Sequence, residues 1–397
     1  MAFEIHNCIP NIVMFIKQTM VGKEDHKIIW FGNKIDLFLI DYYLGQNGLH
    51  IDCVIDNDIH KRGKELSQVN HYELYKRYFD WEYRHKIYFF LPEQIVDPEE
   101  KMVFFIISAF CEEMKNQLIN MGVPEECIFE FTEDEWWIVP KEDNNKTLNS
   151  LSLKDIQRLE LAILKEFDTY CKKYQLTYFI SSGTLLGAVR HKGFIPWDDD
   201  IDVYMPYEDY QKFMSGYKHG RFRAVDWRNE ENYYLPFGKL VDTTTSLIHG
   251  GFPTWGMMSV YIDIFPLAGY PEDEPAELFW ERHKEQDILW IQYYVLKTLG
   301  VENLSDIRQS IIDERYRYSF YESSIVGAAH VVPGIRQWCA RREIYESTVE
   351  LQFEDGYFSA PAGYDELLKI RYGDYMKLPP IEKRVAHLFP AFSDRSD

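Results

Sequence analysis

The chain has 397 residues, of which 64 are acidic and 43 basic, and its formal net charge is −21. This excess of acid disfavours binding of nucleic acid or of an anionic membrane through bulk charge, and the length allows two or three domains. The apolar runs are too short for a membrane helix and no leader pattern is present, so we expect no membrane span, with peripheral membrane contact left open. Six cysteines without CxxC pairs indicate reduced core residues and a cytoplasmic location.

Residues 1–140 alternate apolar strand-like segments with helix-like segments. The expected strands and helices are Lys27–Gly32, Ile35–Leu44, Ile51–Asp56, Lys86–Leu91, Met102–Ser108, Glu112–Met121 and Cys127–Phe129. Such alternation is typical of a parallel α/β sheet, and we expect a Rossmann-like accessory domain. Asp56 lies near the position at which a dinucleotide-binding fold has the acid that hydrogen-bonds the ribose. The glycine-rich motif that binds the pyrophosphate is missing after Gly32, so we expect no bound dinucleotide.

A polar stretch at 141–150 is the expected linker, and residues 151–397 form the expected second domain. The segment from Leu153 to Tyr174 has apolar residues at helical spacing, which predicts a helix at the start of this domain. The region from Glu272 to about Leu351 is rich in aromatic residues and is expected to be helical, with its rings in the core.

Four aspartates lie close together near the middle of the chain, at Asp198, Asp199, Asp200 and Asp202. Neighbouring carboxylates raise each other's pKa unless a cation or hydrogen bonds compensate their charge. The alternation of residues 200–203 predicts a strand in which Asp200 and Asp202 share one face, with Asp199 on the other. Two carboxylates placed in this way suit Mg²⁺ or Mn²⁺.

A metal site that serves phosphate chemistry is one interpretation of these acids, and there are two others. A solvated acidic surface normally lies in polar sequence, whereas this run is flanked by apolar residues. A calcium loop of the EF-hand type needs glycine at its sixth position and glutamate at its twelfth, where the chain has Val203 and Asp209. The metal site is therefore the favoured interpretation.

Two further features accompany the aspartates. Gly183 and Thr184 precede a helix-like stretch, and a tight glycine turn with a hydroxyl exposes groups that hold phosphate oxygens. Asp263 lies in the apolar, strand-like segment Val260–Pro266, where an unpaired charge would be costly, so it should have a partner. It could bind a second metal ion, accept a proton from a hydroxyl, or be a structural acid. The order of these features resembles the nucleotidyltransferase superfamily.

The motif from Gly183 to Asp202 closely resembles the LicD family of phosphotransferases. Similar segments follow in the same order at Phe237–Leu240 with Asp242 and Thr243, at Asp263–Pro266 and at Tyr372–Pro380. The resemblance covers about residues 151–390. It implies an α+β catalytic domain of nucleotidyltransferase-like fold with helical C-terminal additions over residues 151–397.

The resemblance also implies an activity. Members of this family are similar to enzymes that move phosphocholine from a CDP-linked donor to a cell-surface glycan, a lipid-linked glycan or a teichoic acid precursor, releasing CMP. Relatives that resemble fukutin and its related protein move ribitol phosphate. A nucleotidylyltransferase that makes an activated donor and releases pyrophosphate is one alternative, and a non-catalytic scaffold that keeps the fold is another. The oligomeric state is left open.

The residues and the resemblance together suggest roles for individual side chains. We expect the catalytic and metal-ligating residues to be Asp200, Asp202 and Asp263. The expected substrate-binding residues are Gly183, Thr184, Arg190, Lys192, Asp198 and Lys239. Arginine grips phosphate with two hydrogen bonds and lysine acts as a point charge. A cage for a quaternary ammonium group is a further hypothesis, with its candidate rings at Trp227, Tyr233, Tyr234 and Trp255.

Overall fold

The computed structural model describes most of the chain, namely residues 4–7, 9–32, 37–69, 85–97, 100–106, 111–130, 149–230, 233–251, 254–271, 274–298, 301, 304, 306–328, 339–380, 384 and 391–393. The strands in these residues are β1 Glu4–Asn7, β2 Lys27–Phe31, β3 Cys53–Ile55, β4 Phe89–Phe90, β5 Met102–Ile106, β6 Ile128–Glu130, β7 Asn149–Ser150, β8 Phe179–Ile180, β9 Asp202–Pro206, β10 Phe222–Val225, β11 Gly238–Asp242, β12 Thr245–Gly251, β13 Thr254–Met258, β14 Tyr261–Gly269, β15 Ile325–Ala328, β16 Cys339–Arg341, β17 Thr348–Phe353, β18 Gly356–Pro361 and β19 Ala391–Ser393.

The helices in the same residues are α1 Ile9–Thr19, α2 Leu37–Gly45, α3 Leu66–Val69, α4 Pro92–Ile95, α5 Cys111–Asn120, α6 Leu153–Tyr174, α7 Ser182–Arg190, α8 Tyr207–Gly216, α9 Ala276–Thr298, α10 Arg308–Arg315 and α11 Tyr364–Tyr372. Short 3₁₀ helices lie at Glu125–Cys127 and Arg342–Tyr345. Each of the described helices is too short or too polar to cross a lipid bilayer.

A parallel sheet of five strands occupies the N-terminal part, in the order β4-β3-β2-β5-β6. Its strands are all parallel, and Ile29 of β2 lies opposite Cys53 on one side and Phe104 on the other. The apolar runs of β2 and β5 are buried almost throughout, as strands covered on both faces require. The predicted parallel α/β sheet is confirmed, with observed strands up to four residues shorter than expected.

A second sheet has seven strands and contains the segment with the aspartates. β10, β11, β14, β15 and β16 follow one another in antiparallel pairs. β9 lies parallel to β14 on its other side, and β8 pairs antiparallel with β9.

Helix α6 lies against this sheet and has the bounds that its periodicity predicts. Its apolar face, which includes Ile163 and Phe167, packs into the same core as the strands. Ser152 caps its first turn by accepting a hydrogen bond from the backbone of Asp155, and Gln175 ends it in the left-handed conformation.

A third sheet, in the order β1-β13-β12-β19-β7, joins the two ends of the chain. In it Glu4 lies opposite Met257, and Ser150 lies opposite Phe392. Strand β1 therefore belongs to a sheet that is otherwise built from residues 149 onward. The proposed linker lies mostly outside the described residues, and the division into domains at this point stays a prediction.

The expectation of a helical region as far as Leu351 is wrong beyond α10. Helices α9 and α10 end at Thr298 and Arg315, and strands β15, β16 and β17 follow. Strand β17 alternates exposed with more buried residues, which is the period of a strand rather than that of a helix. The expectation for the aromatic rings is confirmed where they are described, because Trp290 and Tyr294 are buried in the core.

Candidate active site

Asp202 and Asp263 lie side by side on two neighbouring parallel strands. Asp202 begins β9, and the register places it directly opposite Asp263 of β14. The backbone N–H of Asp263 donates a hydrogen bond of 2.8 Å to the carbonyl of Ile201, which secures this register. Opposite residues of paired strands point to the same face, and only 9% and 8% of the two residues is exposed. The structure thus brings together two of the three acids proposed as ligands.

Asp200 approaches the same place from a loop, because β9 begins two residues later than expected. The argument that Asp200 and Asp202 share one face of a strand is therefore wrong. Asp200 is nevertheless near enough for its charge to act on Asp202. Burial raises the pKa of Asp202 well above its usual range, and the charges of Asp200, Asp263 and Asp198 add to the shift.

Gly183 and Thr184 lie within the first turn of helix α7, so the expected glycine turn before the helix is wrong. The helix begins at Ser182, and Ser181 precedes it in an extended conformation. The hydroxyl oxygen of Thr184 accepts a hydrogen bond of 2.8 Å from the backbone N–H of Asp202. Ser182 has a left-handed φ of 47°, and its side chain lowers the pKa of Asp202 against the effect of burial. The positive end of the helix dipole therefore lies beside the acids.

Two glycines allow this helix and the acidic loop to approach each other closely. A Cβ atom on Gly183 would lie 2.5 Å from Oδ2 of Asp198. A Cβ atom on Gly187 would lie 2.4 Å from the carbonyl oxygen of Gly193. The carbonyl of Asp198 also accepts a hydrogen bond of 2.7 Å from Nε2 of Gln157, which attaches the loop to helix α6.

Lys239 is fully buried and forms an ion pair with Asp263. The two residues lie opposite each other in the antiparallel pair β11 and β14. Burial lowers the pKa of Lys239 and raises that of Asp263, and the attraction between the two groups opposes both shifts. The ammonium also lies 3.2 Å from the ring centre of Tyr261. Lys239 thus compensates one carboxylate, and its contact with a donor phosphate stays a prediction.

Glu160 contributes a further carboxylate that was not expected from the sequence. It lies on the apolar face of helix α6, four residues after Ile156 and three before Ile163, and is 2% exposed. Burial raises its pKa well above the usual range, and so do the charges of four neighbouring acids, Asp200, Asp199, Asp198 and Asp263. The one sequence signal was an acid in a position where the helix period calls for an apolar residue.

The basic residues proposed for phosphate binding lie at the edge of this cluster. Arg190 ends helix α7, and its guanidinium donates hydrogen bonds of 2.9 Å to the carbonyl of Tyr375 and to Nε2 of His191. Its pKa is lowered mainly by burial, while the charge of Asp198 raises it. Lys192 is exposed and has a left-handed φ of 62°. The C-terminal segment thus holds Arg190 in place, whereas Lys192 projects toward solvent.

The described rings among those proposed as an ammonium cage differ in their burial and contacts. Tyr233 is completely buried, and Trp227 packs edge-on against Trp290 with ring centres 5.8 Å apart. The carbonyl of Tyr234 accepts a hydrogen bond of 2.8 Å from the same Trp290. The side chain of Trp255 lies outside the described part of the structure. Burial argues against Tyr233 as part of a cage, and the cage stays a prediction for Trp227, Tyr234 and Trp255.

The donor atoms of the acid cluster are all carboxylate oxygens, which fit a hard cation such as Mg²⁺ or Mn²⁺ better than zinc. Within the described residues these acids form no group of three whose ligand atoms all lie within 4.8 Å of one another. A different group, Asp41 with His50 and His85, meets that limit. There Asp41 accepts hydrogen bonds from the backbone of Ile51 and from His50, so the group is already bonded within itself.

Comparison with known proteins relates part of this chain to a described family. Residues 175–299 match the family model described as LicD/FKTN/FKRP, nucleotidyltransferase domain. Residues 175–299 thus form a LicD-type domain. The matched LicD segment contains Asp200, Asp202, Lys239 and Asp263, whereas Glu160 lies before it.

Individual relatives match over different lengths. The chain is 29% identical to the lipopolysaccharide cholinephosphotransferase LicD of Haemophilus influenzae over 265 residues, which cover 60% of this chain and 97% of that protein. It is 40% identical over 75 residues to an uncharacterized protein of Rickettsia prowazekii and 41% identical over 64 residues to one of Rickettsia typhi. These two matches cover 19% and 15% of this chain, and 28% and 21% of those proteins.

Proposed function

We propose that this protein with a LicD-type domain transfers a phospho-alcohol group from a CDP-linked donor to a hydroxyl of a cell-surface glycan, a lipid-linked glycan or a teichoic acid precursor, releasing CMP. The observation that carries the proposal is the pairing of Asp202 with Asp263 on parallel strands, beside the start of helix α7. The similarity to the cholinephosphotransferase of Haemophilus influenzae extends over nearly all of that protein, which favours phosphocholine as the group transferred.

Asp200, Asp202 and Asp263 are the residues that would hold Mg²⁺ or Mn²⁺. The buried carboxylates of Asp202 and Asp263 share one buried ammonium, that of Lys239, so negative charge is left for a cation to compensate. When bound, the cation would neutralise charge that develops on the diphosphate of the donor.

The chain itself supplies groups for both substrates. The first backbone N–H groups of helix α7 have no partner within the helix and favour an anion such as a phosphate of the donor. The hydroxyl of Ser181 lies at this helix end, is buried, and has no hydrogen-bond partner among the described residues. The ion pair with Lys239 favours the ionised form of Asp263, which both of its candidate roles, metal ligand and acceptor of the hydroxyl proton, require.

The proposal extends to the N-terminal part. Counted along the chain, its parallel strands have the spatial order 3-2-1-4-5, which is the Rossmann order without a sixth strand, so we infer an accessory domain of that type. The chain lacks the glycine fingerprint after Gly32, and we assign this domain no dinucleotide. Helices α9 and α10 are taken as additions to the nucleotidyltransferase-like domain. The free, buried thiols of Cys53 and Cys171 favour a cytoplasmic location.

The test incubates the protein and Mg²⁺ with CDP-choline, CDP-ribitol or CDP-glycerol and candidate glycan acceptors, and measures CMP. We expect CMP from one donor, loss of the signal in EDTA, and a rate for Asp202→Asn on the order of 100-fold lower, equivalent to about 3 kcal/mol of transition-state stabilisation. Asp355→Asn, which changes an exposed acid paired with Lys165, is the matched control and should keep full activity.

Two results would contradict the proposal in different ways. Release of pyrophosphate in place of CMP would identify a nucleotidylyltransferase that makes an activated donor. If none of the donors gives a metal-dependent product, the scaffold alternative is favoured. Near-normal activity of Asp202→Asn would show that the paired acids are not the reaction centre.

A further inference from the structure

We propose that Glu160 of helix α6 is an additional carboxylate ligand of the divalent cation, acting together with the acids of strands β9 and β14. The inference rests on the metal site of the proposed function, but it does not depend on which donor or acceptor the protein uses. Glu160 lies outside the segment matched by the family model.

The first observation is a buried carboxylate oxygen of Glu160 that has no hydrogen-bond partner among the described residues. The residue is 2% exposed, and its Oε2 atom has no hydrogen-bond partner within the described part of the chain. A buried carboxylate is normally hydrogen-bonded or paired with a cation, because transfer of an unpaired charge from water is costly. The groups whose charges act on it are themselves carboxylates, those of Asp200, Asp199, Asp198 and Asp263. A positive charge placed between them is therefore the missing component.

The second observation is the balance of buried charge. Three acids of the cluster, Asp202, Asp263 and Glu160, are buried, and they face one buried ammonium, that of Lys239. With all three acids ionised, as ligands of a cation must be, two negative charges remain, which a single divalent cation would neutralise. Lys239 is itself paired with Asp263, so Glu160 needs a different partner.

The third observation is how helix α6 presents this side chain. One turn before Glu160, Gln157 donates a hydrogen bond of 2.7 Å to the carbonyl of Asp198, which ties this face of the helix to the acidic loop. Ile156 and Ile163 anchor the helix in the core on either side. Glu160 is thus directed to the cluster by the packing of the helix.

The test measures metal binding directly and uses no donor. Glu160→Gln keeps the size of the side chain and removes its charge. We expect the Kd for Mn²⁺, measured by titration calorimetry and by the spectrum of free Mn²⁺, to rise about tenfold or more. We also expect the melting temperature in EDTA to be no lower than that of the wild type, because repulsion among the acids is relieved, and the increase on adding Mg²⁺ to shrink.

Glu166→Gln is the matched control, because the same change is made in the same helix about 9 Å further along its axis. Glu166 hydrogen-bonds to Tyr217, a contact that glutamine keeps, and its variant should match the wild type in both measurements. If Glu160→Gln fails to fold, Glu160→Asp retains the charge and withdraws the carboxylate, and it should show the same loss of Mn²⁺ affinity.

Wild-type Mn²⁺ affinity in a folded Glu160→Gln or Glu160→Asp variant would overturn the inference and leave Glu160 as a structural acid. Failure of the proposed function gives a different result. If the protein releases no CMP but its Mn²⁺ binding depends on Glu160, the proposed transfer reaction is refuted and the assignment of Glu160 as a metal ligand is supported. If CMP is released and the variant binds Mn²⁺ normally, only the present inference is wrong.

Discussion

Replacement of Lys239 by methionine tests the electrostatic account of the site most directly. The substitution keeps most of the apolar stem and removes the ammonium that pairs with Asp263. Lys239 has no exposed surface, so solvent does not screen the charge that is left unpaired on Asp263. The acids nearby, Asp200 and Asp202, also lose the attraction of this cation.

The expected magnitude follows from the burial of the pair. Breaking a buried ion pair by removing one partner costs about 3–5 kcal/mol. For a domain of this size, each kcal/mol lowers the melting temperature by roughly 2–4 °C, so Lys239→Met should melt about 6–20 °C below the wild type in EDTA. Addition of Mg²⁺ should recover part of this loss, because the cation compensates the same carboxylates.

The assay is thermal unfolding followed by circular dichroism, with and without Mg²⁺, on the wild type, Lys239→Met, Asp263→Asn and the double variant. Each single change leaves a buried charge without its partner, whereas the double change removes both. We therefore expect the double variant in EDTA to lose less stability than the sum of the single losses. A Lys239→Met protein that melts with the wild type, or losses that simply add, would refute this account of the site.

Two further predictions concern the motif glycines and the cysteines. Gly183→Ala should melt near the wild type but release CMP slowly, because the added methyl group displaces the flexible carboxylate of Asp198. Gly187→Ala should lose about 1–3 kcal/mol of stability in urea unfolding, because its methyl group meets the rigid backbone of Gly193. The opposite ranking of stabilities would contradict this. Burial raises the pKa of Cys53 to about 12, so its thiol should resist alkylation in the native protein at pH 8. Peptide mass spectrometry after labelling measures this, and rapid labelling without denaturant would contradict the position of Cys53 in the core.

Local features of the fold were accessible from the sequence because they depend on short-range periodicity. The apolar spacing of α6 predicts both of its ends, and the apolar runs of β2 and β5 predict buried parallel strands. Past α10 the same reasoning fails, because a region rich in aromatic residues is compatible with helix or strand, and pairing between strands, such as that of β15 with β14, decides between them.

In the candidate site, too, some features follow from the sequence and others from the tertiary structure. The residue types of the motif from Gly183 to Asp202 by themselves indicate hard-cation and phosphate chemistry, and the order of motifs indicates the family. Which acids meet is decided by strand register, which places Asp263 opposite both Asp202 and Lys239.

The sequence by itself thus determined the class of chemistry, because side-chain type and short spacing suffice to recognise carboxylate ligands. Only the tertiary structure decided the membership of the site. It moved Asp200 out of the strand, assigned Lys239 to Asp263, and brought in Glu160 from a helix that carries no recognisable motif. The physical reason is that a buried charge is defined by its surroundings, and these are assembled from segments far apart along the chain.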